Sequence, residues 1–265
     1  MKKFSWTRVW GVIIRHLYNF RRTFDRISDA FYWPSLDIIV WGLTFSAISK
    51  TQQSIPAVYI TNILLGVILW YVVWRGQYEI TVNLLEELWS ENVVNLFSSP
   101  LTLTEWTVAL LSLGFMKLFL TVTFTATLAW FLYAVNIFRL GLLLIPFLVD
   151  LLIVGWWFGL FVASLFLRWG TKIQTLAWAG GYLMMPFSAV FYPLASLPLW
   201  MQRIAVWLPT TYIFEGMRTV VATGSVPVDF IVKSSLLNVV YLTITLGLFI
   251  SSFHKAKMRG FGHLR

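Results

Sequence analysis

Residues 140–167 read LGLLLIPFLVDLLIVGWWFGLFVASLFL, and Asp150 is the one ionisable side chain in this run. A bilayer core takes about 20 consecutive apolar residues per helix, so the run predicts a membrane-spanning helix. Five further stretches meet the same criterion, at residues 31–48, 57–74, 106–135, 173–192 and 236–253. The sequence therefore predicts an all-α integral membrane protein with six transmembrane helices, organised as one domain over residues 1–265.

The composition agrees with this fold class. Of the 265 residues, 58% are hydrophobic and 12% are charged, against roughly 25% charged in an average soluble domain. The 15 Trp and 22 Phe residues exceed what one soluble core of this length could bury. These values exclude a disordered chain and argue against a soluble enzyme. Because Cys is absent, the chain has neither disulfides nor thiolate metal sites.

Most lysine and arginine residues fall on one side of the predicted helices. They precede the first span, follow the last, and occupy the loops after spans two and four: Lys2, Lys3, Arg8, Arg15, Arg21, Arg22, Arg26, Lys255, Lys257, Arg259, Arg265, Arg75, Arg168 and Lys172. By the positive-inside rule, both termini are expected in the cytoplasm of a multi-pass protein of the cell (cytoplasmic or inner) membrane. Anionic lipid headgroups account for the net charge of +9, so no nucleic-acid partner is expected.

Residues 1–29 have the pattern of an amphipathic helix. Its apolar stripe is Trp6, Trp10, Ile13, Leu17, Phe20, Phe24 and Ile27, and its polar stripe is Arg8, Arg15, Asn19, Arg22 and Arg26. This pattern predicts a helix lying in the membrane interface against anionic lipids, whereas the alternative is a basic tail that only sets topology. No small-residue cleavage site follows, so we expect no cleaved signal peptide.

The segment at residues 79–103 is acidic although it follows span two on the basic side. Its glutamates are Glu79, Glu86, Glu87 and Glu91. They interleave with leucines, so short amphipathic helices are expected, and Thr102 with Glu105 predicts a capping box that opens span three. The segment is either a solvated loop or a docking surface for a soluble partner.

Residues 193–228 are too apolar for a water-exposed loop and too interrupted for a span. Pro193, Pro198 and Pro209 break the run, and helical spacing then resumes with Glu215 and Arg218 three residues apart and able to pair. Broken helix at membrane depth needs cover from protein or a cavity. The sequence therefore predicts a re-entrant helical hairpin on the outer side, between spans five and six.

Three ionisable residues lie inside the predicted spans and are candidates for function by default: Asp37, Lys117 and Asp150. Lys117 can reach the cytoplasmic interface along its aliphatic stem, with Asp37 as its candidate partner. For Asp150, packing and function are both open. All three histidines fall outside the spans and no P-loop motif occurs, so we expect no catalytic, metal or cofactor-binding residue.

Two stretches carry a resemblance to a known family. Residues 89–101 read WSENVVNLFSSPL, and residues 191–218 contain Tyr-Pro, then Pro and Trp, then Pro, and finally Glu before Arg. With six spans and an N-terminal interfacial helix, the whole chain resembles the type-2 ABC exporter permeases. One departure is Leu208, where many members place Asn before the proline, so the second hairpin helix would lack that cap.

The resemblance implies roles for both stretches. The first would be a cytoplasmic coupling helix seated in a separate ATP-binding subunit, with contacts from Glu86, Glu87, Glu91, Asn92, Asn95, Phe97 and Pro100. The second would be the outer gate, built on Tyr192, Pro193, Pro198, Trp200, Pro209, Glu215 and Arg218. The permease would act as a dimer with a second copy or a paralogue, and ATP and Mg would bind in the partner subunits.

The resemblance also bears on the exported molecule. Residues 31–34, FYWP, are more similar to the drug and lipid branch than to the branch that exports polysaccharide or teichoic acid. We therefore expect export of a lipid, drug or other amphiphile, with polysaccharide or teichoic-acid export as the alternative. An ion-coupled secondary transporter would need mid-membrane carboxylates, for which only Asp150 qualifies. An intramembrane lipid enzyme would need an intramembrane base, and no histidine supplies one.

Overall fold

The computed structural model describes residues 3–51 and 57–261, and in these ranges the regular structure is helical, with no strand. The α-helices are α1 (Trp6–Arg22), α2 (Phe24–Thr51), α3 (Ala57–Trp89), α4 (Val93–Ser98), α5 (Leu103–Tyr133), α6 (Leu144–Trp169), α7 (Leu176–Met184), α8 (Leu199–Ala205), α9 (Pro209–Thr223) and α10 (Val228–Arg259). The all-α prediction is confirmed for this part of the chain. Lys2, His263 and Arg265, which entered the sequence-based arguments, lie outside it.

Five helices are long and apolar enough to cross a membrane, namely α2, α3, α5, α6 (with the short 3₁₀ turns at its two ends) and α10. They correspond to five of the six predicted spans. The hydrogen bond from Arg26 at the start of α2 to Glu86 near the end of α3 places these two termini together. A bond from Arg168 to Ser252 does the same for the ends of α6 and α10. We call this end of the bundle the basal end and the opposite end, where α8 and α9 lie, the hairpin end.

The fifth predicted span, at residues 173–192, is not one continuous helix, and the prediction of an unbroken helix there is wrong. The structure has a 3₁₀ turn, then the nine-residue α7, then a second 3₁₀ turn at Met185–Phe187. Pro186 lacks the amide hydrogen that a continuing helix requires, and Ala189 has a positive φ of 53°. Hydropathy could not predict these breaks, because it measures only how apolar a stretch is.

The broken segment nevertheless runs antiparallel to α3 through most of the bundle. At the basal end Trp89 Nε1 donates to Gln174 Oε1 at 3.1 Å, and further along Gln77 Nε2 donates to the Ala177 carbonyl at 2.8 Å. Nearer the hairpin end, Gly66 lies against the Val190 backbone. The described chain therefore contains five long helices and one interrupted segment.

Two predicted boundaries also need correction. The N-terminal helix ends at Arg22 and not at residue 29, because Thr23 has extended backbone angles, and residues 24–29 begin α2. Helix α3 continues without a break beyond the predicted end at residue 74 as far as Trp89. The sequence predicted that residues 75–89 follow the second span. In the structure they form the last four turns of the long helix α3.

The predicted hairpin at residues 193–228 contains two short helices, α8 and α9. Pro198 precedes the first turn of α8, and Pro209 occupies the first turn of α9, where its missing amide hydrogen costs nothing. Leu208 stands at the N-cap of α9 and supplies no side-chain cap, as its departure from the family pattern implied.

Helix α3 is the central element of the bundle, because it packs against α2, α5, α6 and α7. Its contact with α6 depends on two glycines. A Cβ added to Gly155 would lie 2.6 Å from the Val73 carbonyl oxygen and 2.9 Å from the Gly76 Cα. Small residues allow transmembrane helices to approach this closely.

The first prediction tests this close approach. Gly155→Ala forces the α3 and α6 backbones apart, and overpacking of this kind costs about 1–3 kcal/mol. We expect a lower midpoint of thermal unfolding for the detergent-purified protein, followed by intrinsic fluorescence.

The matched control is Gly247→Ala, because a Cβ added to Gly247 meets no atom within 4 Å. Replacing a helical glycine in open space stabilises by up to about 1 kcal/mol. Equal midpoints for the two variants would contradict the packing account.

Candidate functional site

Helix α1 does not have the single apolar stripe predicted from its sequence. Val9, Val12 and Ile13 are buried, and α1 packs against α5. Trp6 and Trp10 face outward, with 70% and 54% of their surface exposed. The helix therefore packs on the bundle through one apolar face and presents tryptophans on another, as a helix at a membrane interface does.

Three arginines of the predicted polar stripe form ion pairs within the chain. Arg8 NH2 lies 2.6 Å from Glu105 Oε1, Arg15 pairs with Glu87, and Arg26 pairs with Glu86. Each pair joins the N-terminal region to the basal ends of α3 and α5. Their partners are therefore glutamates of the same chain, and not the anionic lipids that the amphipathic pattern predicted.

His16 is buried in the same region and carries no charge at neutral pH. Burial, together with the neighbouring charge of Arg15, lowers the pKa of His16 to about 3. A neutral imidazole can lie between α1 and the bundle, whereas an imidazolium would add a further positive charge beside Arg15. His16 is thus a packing residue in this structure.

The capping box predicted at the start of α5 is confirmed. The Glu105 amide donates to Thr102 Oγ1 at 3.3 Å, and the Thr102 amide donates to Glu105 Oε2 at 2.9 Å. The same carboxylate accepts the Ser5 amide at 2.7 Å and pairs with Arg8. One glutamate therefore caps α5 and fixes the start of the N-terminal helix.

The predicted coupling segment forms the last turns of α3, a tight turn, and the six-residue α4. Glu91 lies in the turn with a φ of 55°. Phe97 anchors α4 on the bundle, because its ring centroid lies 4.6 Å from that of Phe253 and 6.1 Å from that of Trp106. Asn92 Nδ2 donates to Glu87 Oε2 at 2.7 Å and ties the turn to α3.

The residues exposed at the end of α3 and on α4 form what we call the basal patch: Trp89, Ser90, Glu91, Val94, Asn95 and Ser98. Pro100 is also exposed and directly follows α4. Glu87 is buried and Glu86 is half-buried, since both pair with arginines of the N-terminal region. Of the predicted coupling residues, Glu91 and Asn95 therefore belong to the patch, whereas Glu86 and Glu87 lie behind it.

A buried set of charges, here called the Glu79 network, lies above this end. The Glu79 carboxylate is fully buried, with Oε2 at 2.7 Å from Lys117 Nζ and Oε1 at 3.4 Å from Arg75 NH1. Asn83 Nδ2 donates to Glu79 Oε2 at 3.1 Å, and Arg26 NH2 donates to Asn83 Oδ1 at 3.1 Å. The network thereby joins α2, α3 and α5.

The structure overturns the expected partner of Lys117. Lys117 is buried and pairs with Glu79 instead of reaching an interface, and Asp37 is not its partner. Asp37 Oδ2 accepts the Tyr71 hydroxyl at 2.5 Å. The spacing of Arg75 and Glu79 by four residues could have revealed an intrahelical pair, but both had been placed outside span two.

Asp150 forms hydrogen bonds that pack α6 against α10. Its carboxylate accepts the Ser235 hydroxyl at 3.0 Å and Asn238 Nδ2 at 3.2 Å, and Asn238 Oδ1 accepts Trp157 Nε1 at 3.0 Å. These contacts give Asp150 a packing role. Across residues 3–51 and 57–261, no group of three or more His, Asp or Glu residues could hold a metal ion.

At the hairpin end, the predicted pair of Glu215 and Arg218 is present, with Arg218 NH2 at 2.8 Å from Glu215 Oε1. Glu215 Oε1 also accepts the Leu194 amide at 2.6 Å, and Arg218 NH2 donates to the Ala189 carbonyl at 2.8 Å. The pair thus ties α9 to the end of the broken segment and to the turn that follows it.

The remaining hairpin residues frame this pair. The Tyr192 hydroxyl donates to the Pro186 carbonyl at 2.6 Å, and Pro193 begins a 3₁₀ turn at Leu194–Ser196. Trp200 is 59% exposed on α8, and its ring meets that of Phe187 edge-on.

Comparison with known families identifies the architecture. The profile of the family described as ABC-2 type transporter matches residues 13–222. The chain belongs to this family. The match runs from α1 through α9 and so includes four of the five long helices, the basal patch and the hairpin. Among curated proteins, none matches the chain.

Membership defines the class of function. The ABC-2 type membrane domain is a permease and not an ATPase, and permeases of this family work with an ATP-binding subunit. This chain is therefore a multi-pass membrane permease subunit of an ABC transporter.

The second prediction concerns the Glu79 network. Glu79→Gln leaves the buried Lys117 and Arg75 without their counter-charge, which costs about 3–5 kcal/mol. Lys117→Met costs less, because Arg75 still compensates the Glu79 carboxylate. The loss in free energy of unfolding is measured for both variants by equilibrium unfolding of the purified protein in denaturant.

The double variant decides whether the pair is coupled. Glu79→Gln/Lys117→Met should lose less stability than the sum of the single changes, by about 0.5–3 kcal/mol. Strict additivity would contradict direct pairing of these two side chains.

Proposed function

We propose that this permease assembles, with a second copy or a paralogue and two ATP-binding subunits, into an exporter of amphiphilic molecules. Its cargo would be a lipid, a drug or a similar amphiphile taken from the cytoplasm or the inner leaflet. ATP and Mg bind in the partner subunits, and this chain provides the path through the membrane. The observation that carries the proposal is the basal patch, held by ion pairs at the end of the central helix.

The basal patch is the proposed seat of the ATP-binding subunit. It combines exposed apolar side chains, Trp89 and Val94, with small polar ones such as Ser90 and Asn95, as a docking surface requires. The glutamates behind it, Glu87 and Glu86, are paired with Arg15 and Arg26. Docking therefore depends on shape and apolar contact more than on attraction to the glutamates.

The charge distribution supports a cytoplasmic basal end. Exposed basic side chains cluster there: Arg21, Arg22, Lys255, Lys257 and Arg259. The positive-inside rule favours the cytoplasmic side for such a cluster. Six passes, five in long helices and one in the broken segment, would place both termini of this chain in the cytoplasm of a cell membrane.

The hairpin at the opposite end is the proposed outer gate. Leu199 and Trp200 of α8 and Trp207 of the linker between α8 and α9 are exposed, so the hairpin has an apolar surface. The Glu215–Arg218 pair anchors this surface to the end of the broken segment. Such an anchored hairpin can close the translocation path between two permeases.

An amphiphilic cargo fits the surface of α2. Tyr32 and Trp33 are each more than half exposed there, and Asp37, the ionisable residue within 31–48, is engaged with Tyr71. The other large exposed side chains over that range are aliphatic, namely Ile39, Val40, Leu43 and Ile48. The surface therefore favours lipid or drug export over polysaccharide export.

The third prediction tests docking on the basal patch. Val94→Asp places a charge in the centre of the patch, and we expect co-purification of the ATP-binding subunit to fall at least about tenfold, as truncation or polar substitution of a central contact does. The permease itself should still insert and purify, because Val94 is 51% exposed.

The matched control is Val226→Asp, an equally exposed valine (58%) in the linker between α9 and α10 at the hairpin end. Its complex should be retained in full. If Val94→Asp also retains the ATP-binding subunit and its stimulated ATPase activity, docking lies elsewhere.

The fourth prediction tests the gate. Arg218→Ala leaves the partly buried Glu215 carboxylate without its cation, so transport should fall about tenfold, equivalent to about 1.4 kcal/mol. Glu215→Gln/Arg218→Ala should recover part of this loss. The readout is movement of a fluorescent phospholipid between the leaflets of proteoliposomes that contain the complete complex.

ATPase activity of the same proteoliposomes is the control, and it should change less than transport in both variants. If the transport losses of Arg218→Ala and of the single variant Glu215→Gln add up to the loss in the double variant, a role for the pair in the gate is contradicted.

A further inference from the structure

A cleft separates two successive helices of the bundle. Helices α5 and α6 both pack against α3 but make few contacts with each other, and the space between them has a volume of about 790 Å³. Its walls include Val122, Ala126 and Thr127 of α5, and Leu148 and Leu152 of α6. No residue of the basal patch, α8 or α9 lines the cleft.

The cleft has the shape and direction of a lipid chain. Its α5 wall extends from Phe115 to Trp130, a distance of about 22 Å along a helix that rises 1.5 Å per residue. One leaflet contributes about 15 Å to the hydrocarbon core. The cleft therefore runs parallel to the membrane-spanning helices and is long enough to take an acyl chain over its full length.

Apart from Thr123, Thr127 and Asn136, the side chains in the walls are apolar. Thr127 Oγ1 donates to the Thr123 carbonyl of its own helix at 2.7 Å, which satisfies the hydroxyl internally. Asn136 Oδ1, near the end of the cleft, accepts the Phe138 amide at 2.9 Å. The interior of the cleft thus offers methyl and aromatic groups.

An exposed cationic side chain lies in the turn that follows the α5 wall of the cleft. The turn between α5 and α6 places the exposed Arg139 directly after Phe138, which lines the cleft. In the part of the chain that the structure describes, Arg139 belongs to none of the ion pairs. In this turn Ala134 and Gly141 both adopt positive φ angles, of 55° and 57°.

We propose that this cleft binds one acyl chain of an anionic phospholipid, with the phosphate of the headgroup at Arg139. The apolar walls accept the chain, and the guanidinium at the mouth selects a negatively charged head over a neutral one. The lipid belongs to the leaflet at the hairpin end and fills the gap between α5 and α6. This site does not depend on the proposed cargo or on the ATP-binding subunit.

Photo-crosslinking tests the site directly. Phosphatidylglycerol and phosphatidylcholine, each with a diazirine on the acyl chain, are incorporated in turn into nanodiscs with the purified full chain, and crosslinked peptides are mapped by mass spectrometry. Crosslinks should concentrate on residues 115–130 and 144–152, and phosphatidylglycerol should give more of them. Crosslinks spread evenly over all exposed helix faces would overturn the proposal.

Two threonines provide a matched pair of variants. Thr127→Trp fills the cleft, whereas Thr243→Trp changes α10 at an exposed threonine whose hydroxyl likewise donates to its own helix, at 2.8 Å. Crosslinks in the cleft should be lost in Thr127→Trp and kept in Thr243→Trp. Equal crosslinking in the two variants contradicts an acyl-chain site.

The variant Arg139→Gln distinguishes binding of the acyl chain from selection of the headgroup. The preference for phosphatidylglycerol over phosphatidylcholine should fall by about fivefold, the effect of one basic residue near an anionic lipid. An unchanged preference would overturn the assignment of Arg139. If Thr127→Trp instead abolishes dimerisation, measured by light scattering, a second copy of the chain occupies the cleft and the lipid assignment is wrong.

Discussion

The buried Glu79 carboxylate is the interaction on which the rest of the bundle depends. A charge in the interior of a membrane protein is costly unless it is paired and hydrogen-bonded. Glu79 meets both conditions through Lys117 of α5, Arg75 of its own helix and Asn83 one turn later. Because none of these groups can be moved without exposing another buried charge, α3 and α5 are fixed relative to each other, and Arg26 extends the same constraint to α2.

The ion pairs at the basal end continue this constraint towards the surface. Arg15 and Arg26 hold Glu87 and Glu86 at the end of α3, and Arg8 holds Glu105 at the start of α5. The short turn and α4 are then anchored on this base by Phe97. The proposed docking surface is thus attached directly to the ends of α3 and α5. A movement of the docked subunit would therefore be passed to the transmembrane part of α3, because no flexible loop lies between them.

The sequence predicted those features that depend on local patterns. Long apolar runs identified five spans, Thr102 with Glu105 identified a capping box, and Glu215 with Arg218 identified an ion pair one turn apart. Features that depend on the packing of three or more helices were not accessible in this way. The partner of Lys117 is one example, since Glu79 is distant in sequence and had been placed in a loop.

Two further errors have the same physical origin. Hydropathy counts Pro186 and its neighbours as an apolar run, although a proline there interrupts the helix. The amphipathic pattern of residues 1–29 gave the arginines one shared environment, whereas the fold brings Arg8 and Arg15 to different glutamates. Charge pairing across helices overrides a periodicity that is read from one helix alone.

The central claim is that α1, the end of α3 and α4 move as one unit when the transporter works. A distance measurement between spin labels at two exposed positions outside the basal patch, Tyr18 of α1 and Pro100 directly after α4, tests it most directly. The complex with its ATP-binding subunit is measured in the nucleotide-free and the ATP-trapped state. The account predicts the same distance between the two labels in both states, and a change in that distance between the two states would contradict it.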